Sequence, residues 1–261
     1  MKRLFIVFAA IMTVGLTLTG CRKEKEVGHV GTIERDTILG VPCCVYLPCE
    51  YAERAEEEVF PVLYLQHGMF GNEDDWVTKG NIVRIMDSLL RLEQIKEMVV
   101  IMPDNCPSRP TYEEEKNNAM TGEWESRFAQ FMSEAEHRYS ISSLPSQRAI
   151  AGLSMGGFHT MHISHFLHGQ FAYIGLFSPA IIPAPSHEAY DNWKEEVHAM
   201  MTSDPVYWIG IGREDFLYTF VTEYRHWLQA NHLEYTYYES DGGHDWPNWQ
   251  DYLCRFLKKI R

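Results

Sequence analysis

Six apolar runs, each followed by a longer segment with helical spacing, constrain the fold of this 261-residue chain more than any other feature. The runs are typical of buried strands: FPVLYLQ, EMVVIMP, RAIAGL, FAYIGLF, VYWIGIG and EYTYYES. The helical spacing covers residues 81–93, 123–139, 156–168, 187–201, 216–231 and 247–260. This alternation predicts an α/β fold, in which a mostly parallel central sheet carries helices on both faces. Functional side chains are then expected at the carboxyl ends of the strands.

Two further strands are predicted before the alternation begins. GTIERDTI and VPCCVYLP are joined through Leu39-Gly40, and a short turn of this kind favours an antiparallel pair.

The N-terminus has the pattern of a secretory leader. Lys2 and Arg3 precede an apolar run that ends in LTGC at Cys21, and this end resembles the lipobox of bacterial lipoproteins. We therefore predict a lipoprotein signal peptide over residues 1–20, lipidation of Cys21, a tether over 21–31 and one large domain over 32–261. The expected location is a bacterial cell envelope, with membrane contact through the lipid. A plain signal peptide or an uncleaved anchor is the alternative.

Charge and cysteine spacing narrow the range of partners. The formal net charge of −13 at pH 7 argues against nucleic acid or anionic lipid as a partner. Beyond Cys21 the cysteines are Cys43, Cys44, Cys49, Cys106 and Cys254. They lack the paired C-x-x-C spacing of a zinc site, so we predict no metal. A disulfide and buried free thiols both remain open.

A serine stands among glycines between a predicted strand and a predicted helix. In AIAGLSMGGFHTM, which begins at Ala149, Ser154 forms G-x-S-x-G with Gly152 and Gly156. In that motif the serine occupies a sharp strand-to-helix turn, where bulkier neighbours would clash. The alternative is a purely structural turn, in which the glycines only supply positive φ. The flanking strand and helix favour Ser154 as a nucleophile.

The partners of a catalytic serine follow two later strands. VYWIGIG leads into Glu214 and Asp215, and EYTYYES leads into DGGHDW with His244. The order Ser, Asp, His is that of α/β-hydrolases. His244 would accept the serine proton, and Asp215 would orient the imidazole. Glu214 is the alternative to Asp215, which could also cap the next helix.

A segment after the first long strand is suited to hold an oxyanion. In LQHGMFGNEDDW the glycines allow the backbone to approach substrate, so the predicted oxyanion donors are the amides of Met155 and Met69, with Phe70 as the alternative to Met69. Phe70, Trp76 and Trp246 are the candidate substrate-binding residues. Trp249 is a further candidate for lining the cleft, and burial in the core is the alternative for all three tryptophans.

Other polar residues have structural interpretations. Four histidines recur every third residue after the serine: His159, His162, His165 and His168. Because this spacing drifts by about 60° per step on a helix, the four cannot all face one ion, and packed histidines are favoured over a metal site. His67 is expected to support the oxyanion loop, and Asp104 and Asn105 are expected either to orient loops at the sheet edge or to contact substrate.

Five segments, taken together, resemble a known family. LYLQHGMFGNEDDW, VVIMPDN, AIAGLSMGGFHTM, IGIGREDFLY and GGHDWPNW are similar to the putative esterase family, the esterase D-like branch of the α/β-hydrolases, over residues 30–260. That family includes feruloyl and acetylxylan esterases, S-formylglutathione hydrolases and mycolyltransferases. The resemblance implies an α/β-hydrolase esterase domain, a triad of Ser154, Asp215 and His244, and an oxyanion donor after His67-Gly68.

The sequence therefore predicts a lipid-anchored serine esterase that forms an acyl-enzyme and needs no cofactor. The expected substrates are acyl or feruloyl esters of carbohydrates. The alternatives are acyl transfer to a carbohydrate hydroxyl, S-formylglutathione hydrolysis, siderophore ester cleavage, and a carbohydrate-binding lipoprotein without activity.

Overall fold

A computed structural model describes residues 30–106, 122–181 and 187–261 of the chain. The predicted signal peptide, Cys21 and most of the tether lie outside the described residues, so those predictions remain predictions. Within the described ranges, no helix is both long and apolar enough to cross a bilayer.

The described strands form one sheet, in the spatial order β1-β2-β4-β3-β5-β6-β7-β8. The strands are β1 (Thr32–Ile38), β2 (Val41–Leu47), β3 (Val62–Gln66), β4 (Val99–Pro103), β5 (Arg148–Leu153), β6 (Tyr173–Phe177), β7 (Val206–Gly212) and β8 (Thr236–Ser240). β2 runs antiparallel to both β1 and β4, and all other neighbours are parallel. The predicted mostly parallel sheet is confirmed.

The longer helices lie where the apolar spacing predicted them. They are α1 (Tyr51–Arg54), α2 (Asp75–Thr78), α3 (Ile82–Arg91), α4 (Glu123–Arg138), α5 (Met155–Phe166), α6 (His187–Met201), α7 (Tyr218–Ala230) and α8 (Trp246–Leu257). The six predicted helical segments correspond to α3 through α8, and the short α1 and α2 were not predicted.

Alternate side chains of the central strands are buried on opposite faces of the sheet. In β3, Val62 and Tyr64 join a core with α4, α5, α6 and α7, whereas Leu63 and Leu65 join a core with α2, α3 and α8. Side chains of a strand alternate with period two, so continuous apolar runs were needed to fill both cores. The predicted helices on both faces are confirmed.

The opening hairpin fixes where the chain enters the sheet. Leu39 and Gly40 both have positive φ, at 49° and 80°, as a two-residue type I′ turn requires. Thr32 pairs with Leu47, and Ile38 pairs with Val41. Because β2 is antiparallel to β4, the chain enters β1 at the amino edge of the parallel strands. The predicted antiparallel pair is confirmed.

The prediction that β8 is a buried strand was wrong. Thr236 is exposed, and the other four residues of β8 are only half-buried. Among the described strands, β8 pairs with β7 alone and forms the outer edge of the sheet, so no neighbouring strand covers its other flank.

The four histidines of α5 and the turn after it contact different neighbours. His159 Nδ1 lies 2.6 Å from Oε1 of Glu125 in α4. The His162 ring lies between Phe158 and Trp193, with centroids 4.1 and 4.7 Å away. Among the described residues, neither ring nitrogen of the buried His165 has a hydrogen-bond partner, whereas His168 is exposed. Across the described ranges no group of three or more potential ligands could hold a metal ion.

Burial changes the proton affinity of this region. Burial lowers the pKa of His162 to about 4 and lowers that of His165 well below its usual value. Burial opposes ionisation of Glu125, but the hydrogen bond and charge of His159 outweigh it, so the pKa of Glu125 is lowered. The interior between α4, α5 and α6 therefore favours neutral His162 and His165.

We predict that acid destabilises the fold through these histidines. An unfolded histidine binds a proton near pH 6.5, whereas folded His162 does so only near pH 4, so the unfolded chain gains protons first as the pH falls. The free energy of unfolding should be fully present above about pH 6.5 and fall by up to about 3 kcal/mol toward pH 4 for His162. Urea titrations across this pH range measure the slope.

His162→Gln should flatten that slope, because a neutral side chain cannot take up the proton. His168→Gln is the matched control, since His168 is more accessible to solvent and lies just beyond the same helix. Equal slopes in the parent protein and His162→Gln would contradict the prediction.

Candidate active site

Three strand ends bring the predicted triad residues together. Ser154 follows β5 directly, Asp215 lies in the turn after β7, and His244 lies in the loop after β8. These strands are parallel, so their carboxyl ends share one edge of the sheet. Residues 90 positions apart in sequence therefore come within hydrogen-bond distance.

The three side chains form a continuous hydrogen-bonded chain. His244 Nε2 lies 2.9 Å from Ser154 Oγ, and His244 Nδ1 lies 3.0 and 2.9 Å from the two carboxylate oxygens of Asp215. With its proton on Nδ1, the imidazole donates to Asp215 and accepts the serine O–H at Nε2. The Asp215 side chain is fully buried, and its Oδ1 also accepts the Leu217 N–H at 2.8 Å.

The neighbouring acids have other positions. Glu214, the alternative to Asp215, is exposed to solvent. Asp245 caps α8 by accepting the N–H of Asn248 at 3.1 Å. Asp215 is not the N-cap of α7, because that position belongs to Leu217. The hydrogen bond from the Leu217 N–H instead fixes the carboxylate that faces His244.

Ser154 itself has a strained backbone. Its φ is 54° and its ψ is −117°, in a region that L-residues rarely adopt. The Ser154 N–H donates to the Phe177 carbonyl at 2.9 Å, and the Ser154 carbonyl accepts the Ala180 N–H at 2.9 Å. These bonds hold the turn that points Oγ out of the sheet edge.

The glycines around Ser154 are needed because other backbone segments pack directly against them, not because they adopt positive φ. A Cβ on Gly152 would overlap the Gly156 carbonyl oxygen, and a Cβ on Gly156 would overlap the His67 carbonyl oxygen. A Cβ on Gly157 would lie 2.8 Å from Pro179 Cα. None of the three has positive φ; the serine has it instead. The alternative explanation, in which the glycines supply positive φ, was wrong.

The proposed oxyanion donors lie beside the nucleophile. A Cβ on Gly68 would be 3.3 Å from Ser154 Cβ, and both Met69 and Met155 line the cleft next to Ser154. Within the described residues, neither methionine amide donates a backbone hydrogen bond. The Met155 amide is in the first turn of α5, where helix N–H groups have no intrahelical acceptor. Both N–H groups are therefore able to donate a hydrogen bond to an oxyanion that forms beside Ser154.

A buried histidine holds the loop that carries Met69. His67 Nε2 accepts the Asn105 N–H at 3.1 Å, which leaves the proton on Nδ1 to donate to the Gly68 carbonyl at 2.7 Å. The Asn105 side-chain amide donates to the His67 carbonyl at 3.1 Å. Asp104 Oδ1 accepts the Cys106 N–H at 3.1 Å. These contacts match the predicted loop-supporting roles of His67, Asp104 and Asn105.

A cleft of about 500 Å³ surrounds the serine hydroxyl. It is lined by Gly68, Met69, Phe70, Asp75, Lys79, Leu153, Ser154, Met155, Ala180, Phe216, Leu217, His244, Trp246 and Trp249. Phe70 and Phe216 are 66% and 69% exposed, and the Phe216 ring centroid is 4.5 Å from that of His244. The cleft is therefore largely apolar and aromatic.

The structure places two predicted substrate-binding residues, Phe70 and Trp246, in the cleft and leaves Trp76 out. Trp76 is buried beneath the cleft, where its Nε1–H donates to the Gln66 carbonyl at 3.0 Å and its ring packs against Trp246 at 5.3 Å. Sequence reasoning missed Phe216 as a lining residue, although its position directly after Asp215 was a usable signal. It also missed Asp75 and Lys79, which no motif indicated.

Comparison with known proteins gives a consistent result. The family described as "Putative esterase" matches residues 40–260. An acetyl esterase of Caldicellulosiruptor saccharolyticus is 25% identical over 240 residues, covering 78% of this chain and 85% of that protein. An endo-1,4-beta-xylanase/feruloyl esterase of Xylanibacter ruminicola is 32% identical over 143 residues, covering 51% of this chain but only 19% of that protein.

Solved structures share the fold. A ferulic acid esterase of Anaeromyces mucronatus has a TM-score of 0.74 at 23% identity, covering 91% of this chain and 93% of that chain. S-formylglutathione hydrolase of Staphylococcus aureus has a TM-score of 0.67 at 19% identity, covering 89% and 96%. These similarities show the α/β-hydrolase fold.

We predict that Gly152→Ala disrupts the serine turn. The added methyl meets backbone at Gly156, which cannot move without displacing α5, so the loss of stability should be at least about 3 kcal/mol. Thermal unfolding should shift down by roughly 6–12 °C, and ester hydrolysis should fall with it.

Gly40→Ala is the control for this substitution. Gly40 has positive φ, but an added methyl there would have no atom within 4 Å, so only a backbone cost of about 1 kcal/mol is expected. A Gly152→Ala protein as stable and active as Gly40→Ala would show that close approach is unimportant.

Proposed function

The chain belongs to the putative esterase family and is a carboxylic ester hydrolase, and we propose that Ser154, His244 and Asp215 are its catalytic triad. The observation that carries this proposal is the 2.9 Å separation of His244 Nε2 and Ser154 Oγ, with Nδ1 of the same ring bonded to a buried carboxylate. A serine hydroxyl is a weak nucleophile near neutral pH, and this arrangement supplies the base that it needs.

Acylation follows from the positions of these atoms. Ser154 Oγ attacks the ester carbonyl carbon while its proton passes to His244 Nε2. The carbonyl oxygen becomes an oxyanion, which the amides of Met155 and Met69 stabilise by donating hydrogen bonds. The C–O bond then breaks, and the alcohol leaves with the proton that His244 returns. The acyl group stays bound to Ser154.

Deacylation repeats the sequence with water. His244 Nε2 takes a proton from water, whose oxygen attacks the acyl carbonyl, and the oxyanion again accepts from the same two amides. Collapse of the tetrahedral intermediate breaks the bond to Ser154, and His244 returns the proton to Oγ. The products are a carboxylic acid and an alcohol, and no cofactor takes part.

The apolar cleft supports acyl or feruloyl esters of carbohydrates as substrates. Phe70, Phe216, Trp246 and Trp249 present aromatic surface around Ser154, which suits a planar or apolar acyl group. The relatives named as acetyl esterase and feruloyl esterase carry such acyl groups in their names. With a lipid at Cys21, the enzyme would act in the bacterial cell envelope, where large extracellular esters are accessible.

We predict that Ser154→Ala abolishes ester hydrolysis. Initial rates on p-nitrophenyl acetate, p-nitrophenyl butyrate, methyl ferulate and acetylated xylan should fall on the order of 10⁴-fold or more, because no nucleophile remains. Ser203→Ala, which alters a serine just after α6, is the control. Turnover that survives in Ser154→Ala on every substrate would refute the triad. Ester formation on an added sugar that outpaces release of free acid would identify a transferase.

We predict that Asp215→Asn is far more damaging than Glu214→Gln. The amide would no longer hold the imidazole with its proton on Nδ1, so kcat should fall roughly 10³–10⁴-fold. Glu214 is exposed, and its amide should leave kcat within about threefold of the parent. Comparable losses in both variants would argue against the assignment of the acid.

A further inference from the structure

One charged pair in the wall of the cleft has no part in the proposed mechanism. Asp75 and Lys79 both line the cleft, and the Lys79 ammonium lies 2.9 Å from Asp75 Oδ1. Apart from His244, no other side chain that lines the described cleft is a titratable acid or base. The rest of the wall is apolar or belongs to the backbone and the nucleophile.

The surrounding helices fix the position of this pair. Asp75 is the first residue of α2, and Lys79 follows its last turn. Between them, Trp76 is buried beneath the cleft and donates to the Gln66 carbonyl at the end of β3. The Lys79 carbonyl accepts the Gln250 side-chain amide of α8 at 2.8 Å. The pair is thus attached to the sheet at one end and to α8 at the other.

The two members differ in their access to the cleft. The Asp75 side chain is 13% exposed, whereas the Lys79 side chain is 53% exposed. Both residues therefore border the cleft, and the lysine side chain is the more accessible of the two. Asp75 uses one of the three N–H donors of the ammonium, and the others are accessible to groups that enter the cleft.

A donor and an acceptor side by side, without net charge, match a hydroxyl group. A hydroxyl can accept from the ammonium and donate to the carboxylate at the same time. A carboxylate or phosphate would meet Asp75 as a like charge, and a purely apolar group would leave the remaining N–H donors of the ammonium unused. A neutral hydroxyl is the chemistry that satisfies both members.

We propose that Asp75 and Lys79 form a hydroxyl-recognition subsite for the substrate of the Ser154 reaction. This inference rests on the proposed esterase function and adds a substrate requirement to it. The hydroxyl has two possible sources, which are the ring of an aromatic acyl group and the sugar that forms the alcohol of the ester. A site built to bond a hydroxyl discriminates against the analogue that lacks it.

Two matched substrate pairs test the subsite and identify the source. Methyl p-coumarate and methyl cinnamate differ by one ring hydroxyl, whereas a cinnamoyl ester of arabinose and methyl cinnamate differ in the sugar hydroxyls. The measured quantity is the ratio of kcat/KM within each pair, for the parent, Lys79→Met, Asp75→Asn and Lys258→Met. Lys258 is an exposed lysine that follows α8 and serves as the control.

We expect one of the two ratios to favour the hydroxyl-bearing substrate by about tenfold or more in the parent. Lys79→Met and Asp75→Asn should bring that ratio close to one, and Lys258→Met should leave it at the parent value. Loss of the first ratio assigns the hydroxyl to the acyl group, and loss of the second assigns it to the sugar.

The subsite would be overturned if Lys79→Met left the ratio of kcat/KM unchanged in both substrate pairs. It would also be overturned if kcat/KM fell equally for all substrates, because a pair with a purely structural role would not discriminate between substrates with and without a hydroxyl. Hydrolysis of p-nitrophenyl acetate by the parent, and its loss in Ser154→Ala, is measured in parallel. A parent that hydrolyses no ester would overturn the proposed function itself. A parent that is active with unresponsive ratios would overturn the subsite alone.

Discussion

The site depends on backbone packed directly against backbone at the start of α5. Gly156 lies against the carbonyls of Gln66 and His67, and Gly152 lies against the carbonyl of Gly156. No side chain separates the end of β3, the end of β5 and the first helical turn. This approach places Met69 and Met155 beside Ser154 in the same cleft. The strained φ and ψ of Ser154 persist because the surrounding backbone contacts hold the residue in that conformation.

A second layer of contacts keeps that packing in register. The His67 ring joins the end of β3 to the end of β4 through the Asn105 amide, and Asn105 returns a bond to the His67 carbonyl. Below the cleft, Trp76 bonds the Gln66 carbonyl and supports Trp246 from beneath. Rigid support of this kind matters because catalytic groups must be held close to their productive geometry. The apolar lining and the oxyanion loop are therefore both held by contacts at the end of β3.

Much of this arrangement could be predicted from the sequence. Continuous apolar runs favour strands that are buried on both faces of a sheet, and the carboxyl ends of such parallel strands share an edge, which is where Ser154, Asp215 and His244 meet. What could not be predicted depends on tertiary neighbours. The run in β8 has the composition of a buried strand, but its place at the sheet edge leaves it half-buried. Trp76 follows the oxyanion segment closely, yet its backbone direction turns it into the core. The pairing of Asp75 and Lys79 in the cleft wall requires the short α2, which has too few residues to produce a periodic signal.

The direction of β1 places the start of the described domain at the opposite edge of the sheet from the cleft. The chain enters at Thr32, opposite the end of β2, at the amino edge of the parallel strands, whereas the proposed triad lies beyond their carboxyl ends. The length of the strands thus stands between the entry point and the mouth of the cleft. An enzyme held from its N-terminal side would have its cleft turned outward, where a long polymer could pass across it. The proposed lipid tether and the substrate would then use opposite ends of the sheet.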